Sequence, residues 1–143
     1  MGEAANTKLG NNAPGEGGTK ATALVIEDDP MVASVLNFVL EREGFAVRHA
    51  MDGRIAHQMI ANEDPPSLVL LDVLLPYADG FELVQTIRAR PEWGNTPVLM
   101  LSSKGHEKDI ARALDAGADD YVVKPFQIEE LRARLRRIRR TTR

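Results

Sequence analysis

From Ala21 onward, short apolar runs alternate five times with longer segments in which apolar residues recur every three or four positions. The short runs predict strands at Ala23–Glu27, Phe45–His49, Leu68–Asp72, Val98–Leu101 and Tyr121–Val123. Runs that are apolar throughout, rather than alternating, suit strands covered on both faces, as in a parallel sheet. The longer segments predict five helices. Met31, Val32, Val35, Leu36, Val39 and Leu40 form the first stripe, closed by Gly44 at the C′ position. Ile55, Ala56, Met59 and Ile60 form the second, and Phe81, Leu83, Val84 and Ile87 the third. Ile110, Ala113 and Leu114 mark the fourth, and Ile128, Leu131, Leu135 and Ile138 the fifth. This order predicts an α/β fold: an open, doubly wound, five-stranded parallel sheet with right-handed crossovers and helices alternating between its faces. Such sheets bind ligands outside the C-terminal ends of their strands, so those five ends are where chemistry is expected.

Met1–Lys20 break the pattern. With five glycines, three asparagines and one large aliphatic residue, Leu9, the segment cannot offset the entropy of ordering. It reads as a disordered leader before one domain over residues 21–140, with 141–143 as a basic tail end. A 143-residue chain that is 43% hydrophobic can bury a core without staples, and with no cysteine it has neither disulfide nor thiolate zinc site. The longest apolar runs, Leu68–Leu71 and Val98–Leu101, are far shorter than the roughly 20 residues that span a bilayer, which points to a soluble, cytoplasmic protein. The net charge of −3 is unevenly spread: seven arginines lie in the last twelve residues, against 11 basic and 21 acidic groups before them. Leu131, Leu135 and Ile138 run through these arginines at helical spacing, so the cluster reads as a solvated helix face rather than a nucleic-acid or membrane contact.

Glu27, Asp28 and Asp29 close the first strand, and Asp72 closes the third. Asp29 has a structural role available, as N-cap of a helix with Pro30 at N1. Glu27, Asp28 and Asp72 do not, and three carboxylates in one crevice repel one another unless a cation joins them. Hard oxygen ligands without neighbouring histidine or cysteine favour magnesium, which keeps waters and shares its shell with phosphate oxygens. Ser102 follows the fourth strand and Lys124 the fifth, a hydroxyl and an ammonium suited to the oxygens of a transferring phosphoryl group. Each has a plain structural reading as well, Ser102 as a helix cap and Lys124 as surface charge. Their coincidence at strand ends is what points to phosphoryl chemistry. No glycine-rich phosphate loop is present, since Gly15, Gly17 and Gly18 precede the first strand. His49, His57 and His106 lack metal-ligand spacing and a serine partner, and the latter two are expected to be solvated.

These segments resemble the receiver domain of two-component response regulators. The resemblance runs from Thr22 to about Arg140 through LVIEDD, LVLLDVLLPYADG, VLMLSS and AGADDYVVKPF. The separations match too: 44 residues from Asp28 to Asp72, 30 from Asp72 to Ser102 and 22 from Ser102 to Lys124. The resemblance implies a flavodoxin-like (βα)5 fold with strand order 2-1-3-4-5. Asp72 would accept a phosphoryl group from a phosphohistidine on a sensor histidine kinase or a phosphotransfer protein. Magnesium would be held by Asp28, Asp72 and the backbone carbonyl of Leu74, with Glu27 acting through water. Lys124 would pair with the phosphoryl charge, and the Lys124–Pro125 peptide would be cis. Ser102 and Tyr121 would form the switch, Ser102 swinging toward the phosphoryl group and Tyr121 turning inward behind it. That would reshape the face of the fourth helix, fifth strand and fifth helix. A serine stands at 102 where the family more often has threonine.

Leu74 and Lys104 occupy positions that tune the access of water to the aspartyl phosphate in this family. An apolar Leu74 cannot orient an attacking water, so a long-lived phosphoryl group is expected: self-catalysed transfer and slow self-dephosphorylation, not enzyme turnover. Asp119 and Asp120 against Arg134, with Arg139 or Arg140 beyond, resemble the two-fold face of receivers attached to winged-helix DNA-binding domains. A phosphorylation-linked homodimer is thereby implied. The chain reads as lacking an effector domain and as not binding DNA itself, because a basic tail does not read bases. Its output would pass through a partner protein or an output domain. Two other readings compete: a pseudo-receiver that docks without phosphate, and a phosphatase of the haloacid dehalogenase class. The first is opposed by competent residues at all five site positions. The second needs an aspartate two residues after the nucleophile, where Asp72 has Leu74 and Asp28 has Pro30.

Overall fold

A computed structural model describes residues 20–140. The tail end at 141–143 and all of the leader but Lys20 lie outside the described residues. Five parallel strands, β1 (Ala21–Ile26), β2 (Phe45–Ala50), β3 (Leu68–Asp72), β4 (Val98–Ser102) and β5 (Asp120–Val123), form one sheet in the order β2-β1-β3-β4-β5. Five helices separate and follow them: α1 (Pro30–Arg42), α2 (Gly53–Asn62), α3 (Gly80–Ala89), α4 (Glu107–Ala116) and α5 (Ile128–Arg140). The strand order agrees with expectation, and β3 and β4 are buried at every position. Among the described residues, no helix is long and apolar enough to cross a membrane.

The helices do not alternate faces one by one. Leu36, Val39 and Leu40 of α1 pack with Leu131, Leu135 and Ile138 of α5 on one side of the sheet. Ala56 and Ile60 of α2, Leu83, Val84 and Ile87 of α3, and Ala113 of α4 pack on the other. Right-handed crossovers explain this. The chain steps one way from β1 to β2 and the opposite way through β3, β4 and β5, so the three helices of the second journey share a face. Side-chain alternation serves both layers, with Ala23 and Val25 facing the first cluster and Leu24 and Ile26 the second.

Local signals act where expected. Asp29 caps α1, its Oδ1 accepting from the Met31 N–H at 2.9 Å, and Gly44 follows the helix at φ +94°. The α1 stripe was too broad, however. Ala33, Leu36, Val39 and Leu40 are buried, whereas Met31 is 78% exposed and Val35 also faces solvent. A short antiparallel hairpin, Leu74–Leu75 with Ala78–Asp79, interrupts the β3–α3 connection and was not expected.

The arginines of α5 are also not simply solvated. Arg132 Nε lies 2.9 Å and Arg136 Nε 3.6 Å from Glu43 carboxylate oxygens, and Arg139 donates to the Glu43 carbonyl at 2.7 Å. Arg134 and Arg137 reach Asp120 at 3.0 and 3.1 Å. Helical spacing puts the first three on one row and the other two on another, each row aimed at one acid. α5 is thus tied to the end of α1 and to the start of β5.

Candidate functional site

The C-terminal ends of β1, β3, β4 and β5 converge on one crevice. Glu27, just past β1, is only 1% exposed, and its backbone N–H continues the sheet by donating to the Ala50 carbonyl at 3.1 Å. Asp72, the last residue of β3, is 6% exposed. Asp28 faces solvent at the mouth. Carboxylate oxygens of Glu27, Asp28 and Asp72 all lie within 4.8 Å of one another. Lys124 follows β5, where its N–H donates to the Ser102 carbonyl at 2.8 Å and its peptide to Pro125 is cis. Its Nζ bridges Glu27 Oε1 at 2.8 Å and Asp72 Oδ2 at 3.1 Å. The other oxygens are used as well: Glu27 Oε2 accepts from the Asp29 N–H at 3.1 Å, and Asp72 Oδ1 from the Leu74 N–H at 3.2 Å.

Charge and burial set these groups against one another. Burial pushes the Glu27 carboxyl above the usual carboxylate range, and the hydrogen bond from Lys124 only partly opposes it. Burial acts to lower Lys124, but the hydrogen bonds and charges of Glu27 and Asp72 outweigh it and hold the ammonium above its ordinary value. The cluster is rich in hard, anionic oxygens with an exposed carboxylate at its opening. That donor set fits a divalent cation that keeps water ligands, magnesium above zinc.

Ser102 is fully buried at the end of β4. It does not cap the next helix; its Oγ accepts from the Lys104 N–H at 3.1 Å, while His106 caps α4 weakly through a 3.5 Å contact with the Lys108 N–H. Tyr121 is turned inward and buried, its hydroxyl donating to the Lys104 carbonyl at 2.7 Å. Burial raises its phenol above the ordinary value. Leu74, 51% exposed, and Lys104 stand on the rim of an open cleft of about 460 Å³, shared with Asp28, Phe81 and Arg112. His57 and His106 are exposed, and His49 contacts only a carbonyl of the site, that of Glu27, at 2.7 Å from its Nε2.

The residues assigned to a two-fold face are engaged within the chain. Asp120 holds Arg134, whereas Asp119 pairs with Arg88 at 2.9 Å and accepts from the Val98 N–H at 2.8 Å. Asp119 lies beside the end of α3 and the start of β4, so the two adjacent acids serve different neighbours. Sequence reasoning missed Asp79 and Arg112. Asp79 before Gly80 and Phe81 carries a local capping signal, and its Oδ1 accepts from the Phe81 N–H at 2.8 Å. Nothing local marks Arg112, whose partners, Asp79 and Phe81, lie at the start of α3.

A family model described as the response regulator receiver domain matches residues 23–136. The chain belongs to this family. As a receiver domain of two-component response regulators, it is 41% identical over 119 residues to the DNA-binding dual master transcriptional regulator RpaA of Synechocystis sp., covering 83% of this chain and 49% of that protein. It is 42% identical over 112 residues to the phosphate regulon transcriptional regulatory protein PhoB of Rhizobium meliloti, covering 78% and 49%. The chain therefore spans about half the length of these curated relatives. Its fold matches the receiver domain of the Francisella response regulator 1452 with a TM-score of 0.77 at 31% identity, over 86% of this chain and 99% of that one. The receiver domain of the sensor histidine kinase PA1611 of Pseudomonas aeruginosa, described with magnesium coordinated in its active-site cleft, matches with a TM-score of 0.76 at 28% identity, over 86% and 100%. Neither the phosphatase nor the phosphate-independent reading is favoured by these relationships.

Proposed function

We propose that Asp72 is the phosphoacceptor of this receiver domain and takes its phosphoryl group from a phosphohistidine on a histidine kinase or phosphotransfer protein. The observation that carries this reading is the Lys124 ammonium, seated between two buried carboxylates with a third, exposed carboxylate beside them at the strand ends. An Asp72 oxygen forms the new O–P bond as the donor's N–P bond breaks, and the leaving imidazole keeps the electron pair and takes up a proton. Asp28, Asp72 and the Leu74 carbonyl would hold magnesium, with Glu27 reaching it through water. That ion supplies charge neutralisation for the phosphoryl oxygens. Lys124 pairs with the transferred group, and the Ser102 hydroxyl turns from Lys104 to donate to it.

Tyr121 lies inward with its hydroxyl on the Lys104 carbonyl, and Ser102 Oγ accepts from the Lys104 N–H, which supports a switch in which both residues change partners around Lys104. The exposed, apolar Leu74 offers an attacking water no acceptor, which supports a slowly hydrolysed aspartyl phosphate, with Lys104 tuning the same entrance. Met31, Val35 and Ile128, all exposed, line an apolar groove that reaches Lys124 and would offer a phosphodonor a landing. A phosphorylation-linked dimer of the α4-β5-α5 face would require the Asp120–Arg134 pair to open and re-form between two copies, and output would pass through an attached DNA-binding domain or a separate effector. Incubation with magnesium and a small acyl phosphate is expected to add one phosphoryl group to the intact mass, and excess chelator to prevent it. Uptake that is indifferent to the chelator would remove magnesium from this account.

A further inference from the structure

α4 is the most loosely seated helix around the site. It buries only Ala113 completely, whereas α5 buries three large aliphatic residues and is tied down by two rows of arginines. At its C-terminal end α4 is pinned, since Arg88 donates twice to the Gly117 carbonyl, at 3.0 and 2.8 Å. At its N-terminal end the His106 cap is long and weak. Between them, Arg112 reaches across to the next loop. Its guanidinium lies 4.1 Å above the Phe81 ring, and its NH2 group 3.6 Å from Asp79 Oδ2.

The far side of that contact leads to Asp72. Asp79 uses Oδ1 to cap α3, leaving Oδ2 for Arg112. In the short hairpin Asp79 pairs with Leu74, and the Leu74 N–H donates to Asp72 Oδ1. The Gly80 N–H closes the same loop onto the Val73 carbonyl at 2.9 Å. Residues 72–81 thus form one hydrogen-bonded unit, with the acceptor carboxylate at one end and the Arg112 partners at the other. A phosphoryl group on Asp72 would alter what Leu74 can bond to, and the hairpin offers a route from there to Asp79.

We propose that Arg112 is a positioning residue that fastens α4 to the phosphoacceptor loop, so that the state of Asp72 and the placement of α4 are linked through Leu74 and Asp79 as well as through Ser102 and Tyr121. This rests on Asp72 being the phosphoacceptor. The Arg112 side chain is 60% exposed, so both of its contacts are individually weak. That weakness suits a fastening that must open and close: a few-fold bias is enough to shift a helix already short of buried contacts. Linkage requires the effect to run both ways, so loosening Arg112 must also loosen the loop.

Hydrogen exchange resolved by mass spectrometry tests both directions on the whole chain without a phosphodonor. Arg112→Ala is expected to speed exchange about threefold or more in both 107–116 and 73–81, and Arg112→Lys to restore most of the protection. Asp79→Ser keeps a capping oxygen but cannot hold Arg112, and is expected to loosen α4 without touching it. The double variant should exchange no faster than Arg112→Ala alone. An effect of Arg112→Ala confined to 107–116, or an α4 indifferent to Asp79→Ser, overturns the proposal. After phosphorylation, verified by intact mass, the change in α4 exchange seen in the wild type should fall below about half in Arg112→Ala; an undiminished change also overturns it. A wild type that gains no phosphoryl group refutes the Asp72 reading instead, and the unphosphorylated comparison still decides the fastening.

Discussion

Lys124→Met is expected to slow phosphoryl uptake about 100-fold, and to lower the stability of the chain at neutral pH by about 3 kcal/mol. The first effect follows from removing the ammonium that meets the phosphoryl charge. The second follows from Glu27 and Asp72, both buried, which lose the cation bridging them at 2.8 and 3.1 Å. The pH dependence separates this from ordinary core damage. In the wild type the Lys124 pKa is raised by folding, so its contribution is complete below the unfolded value of about 10.4 and disappears as pH rises through the folded one. In the variant only the Asp29 N–H still opposes the burial that raises Glu27, and the larger opposing contribution, that of Lys124, is gone. A carboxyl raised by folding binds its proton more tightly in the folded state, so the variant gains stability as pH falls toward the unfolded value of about 4.3. Urea denaturation at about pH 8 and about pH 5 should show the gap to wild type narrowing at the lower pH, and Glu27→Gln added to Lys124→Met should recover part of the loss. A gap of constant size would mean that Lys124 does not hold these carboxylates.

Gly80→Ala is expected to cost about 3 kcal/mol, although alanine is the better helix former. A Cβ at this position would stand 2.6 Å from the Asp72 carbonyl oxygen and 2.7 Å from the Val73 Cα. Both neighbours are backbone, and the Asp72 segment is held by β3 on one side and by the hairpin on the other, so neither can give way cheaply. The displacement that does occur must move the phosphoacceptor itself. Urea titration should therefore show a lower midpoint at unchanged slope. Phosphoryl uptake by the fraction that remains folded should fall as well. A stability within about 0.5 kcal/mol of wild type would show that the β3–α3 connection is softer than its packing indicates.

The elements were legible because each rests on a local pattern: apolar runs for β3 and β4, a proline after an aspartate for α1, a glycine after its last turn. The site was legible because parallel α/β topology gathers strand ends, and Glu27, Asp28, Asp72, Ser102 and Lys124 each sit at one. What depends on tertiary partners was not. Met31 and Val35 satisfy helical spacing, but neither joins the core cluster of Leu36, Val39 and Leu40, and both are left in solvent. The arginines of α5 carry no sign in sequence that Glu43, just past the end of α1, and Asp120, at the start of β5, are their acids. Arg112 looks like any surface charge until α3 places Phe81 and Asp79 beneath it. The inward position of Tyr121 depends on a carbonyl, that of Lys104, exposed by a loop whose course no spacing reveals.

The most direct test of the central claim compares the intact masses of the wild type and Asp72→Asn after incubation with magnesium and a small acyl phosphate. The wild type is predicted to gain one phosphoryl group and Asp72→Asn none, because the amide removes the nucleophilic oxygen while keeping the shape of the buried side chain. An equal gain in both would place the phosphoryl group elsewhere and contradict the assignment of Asp72.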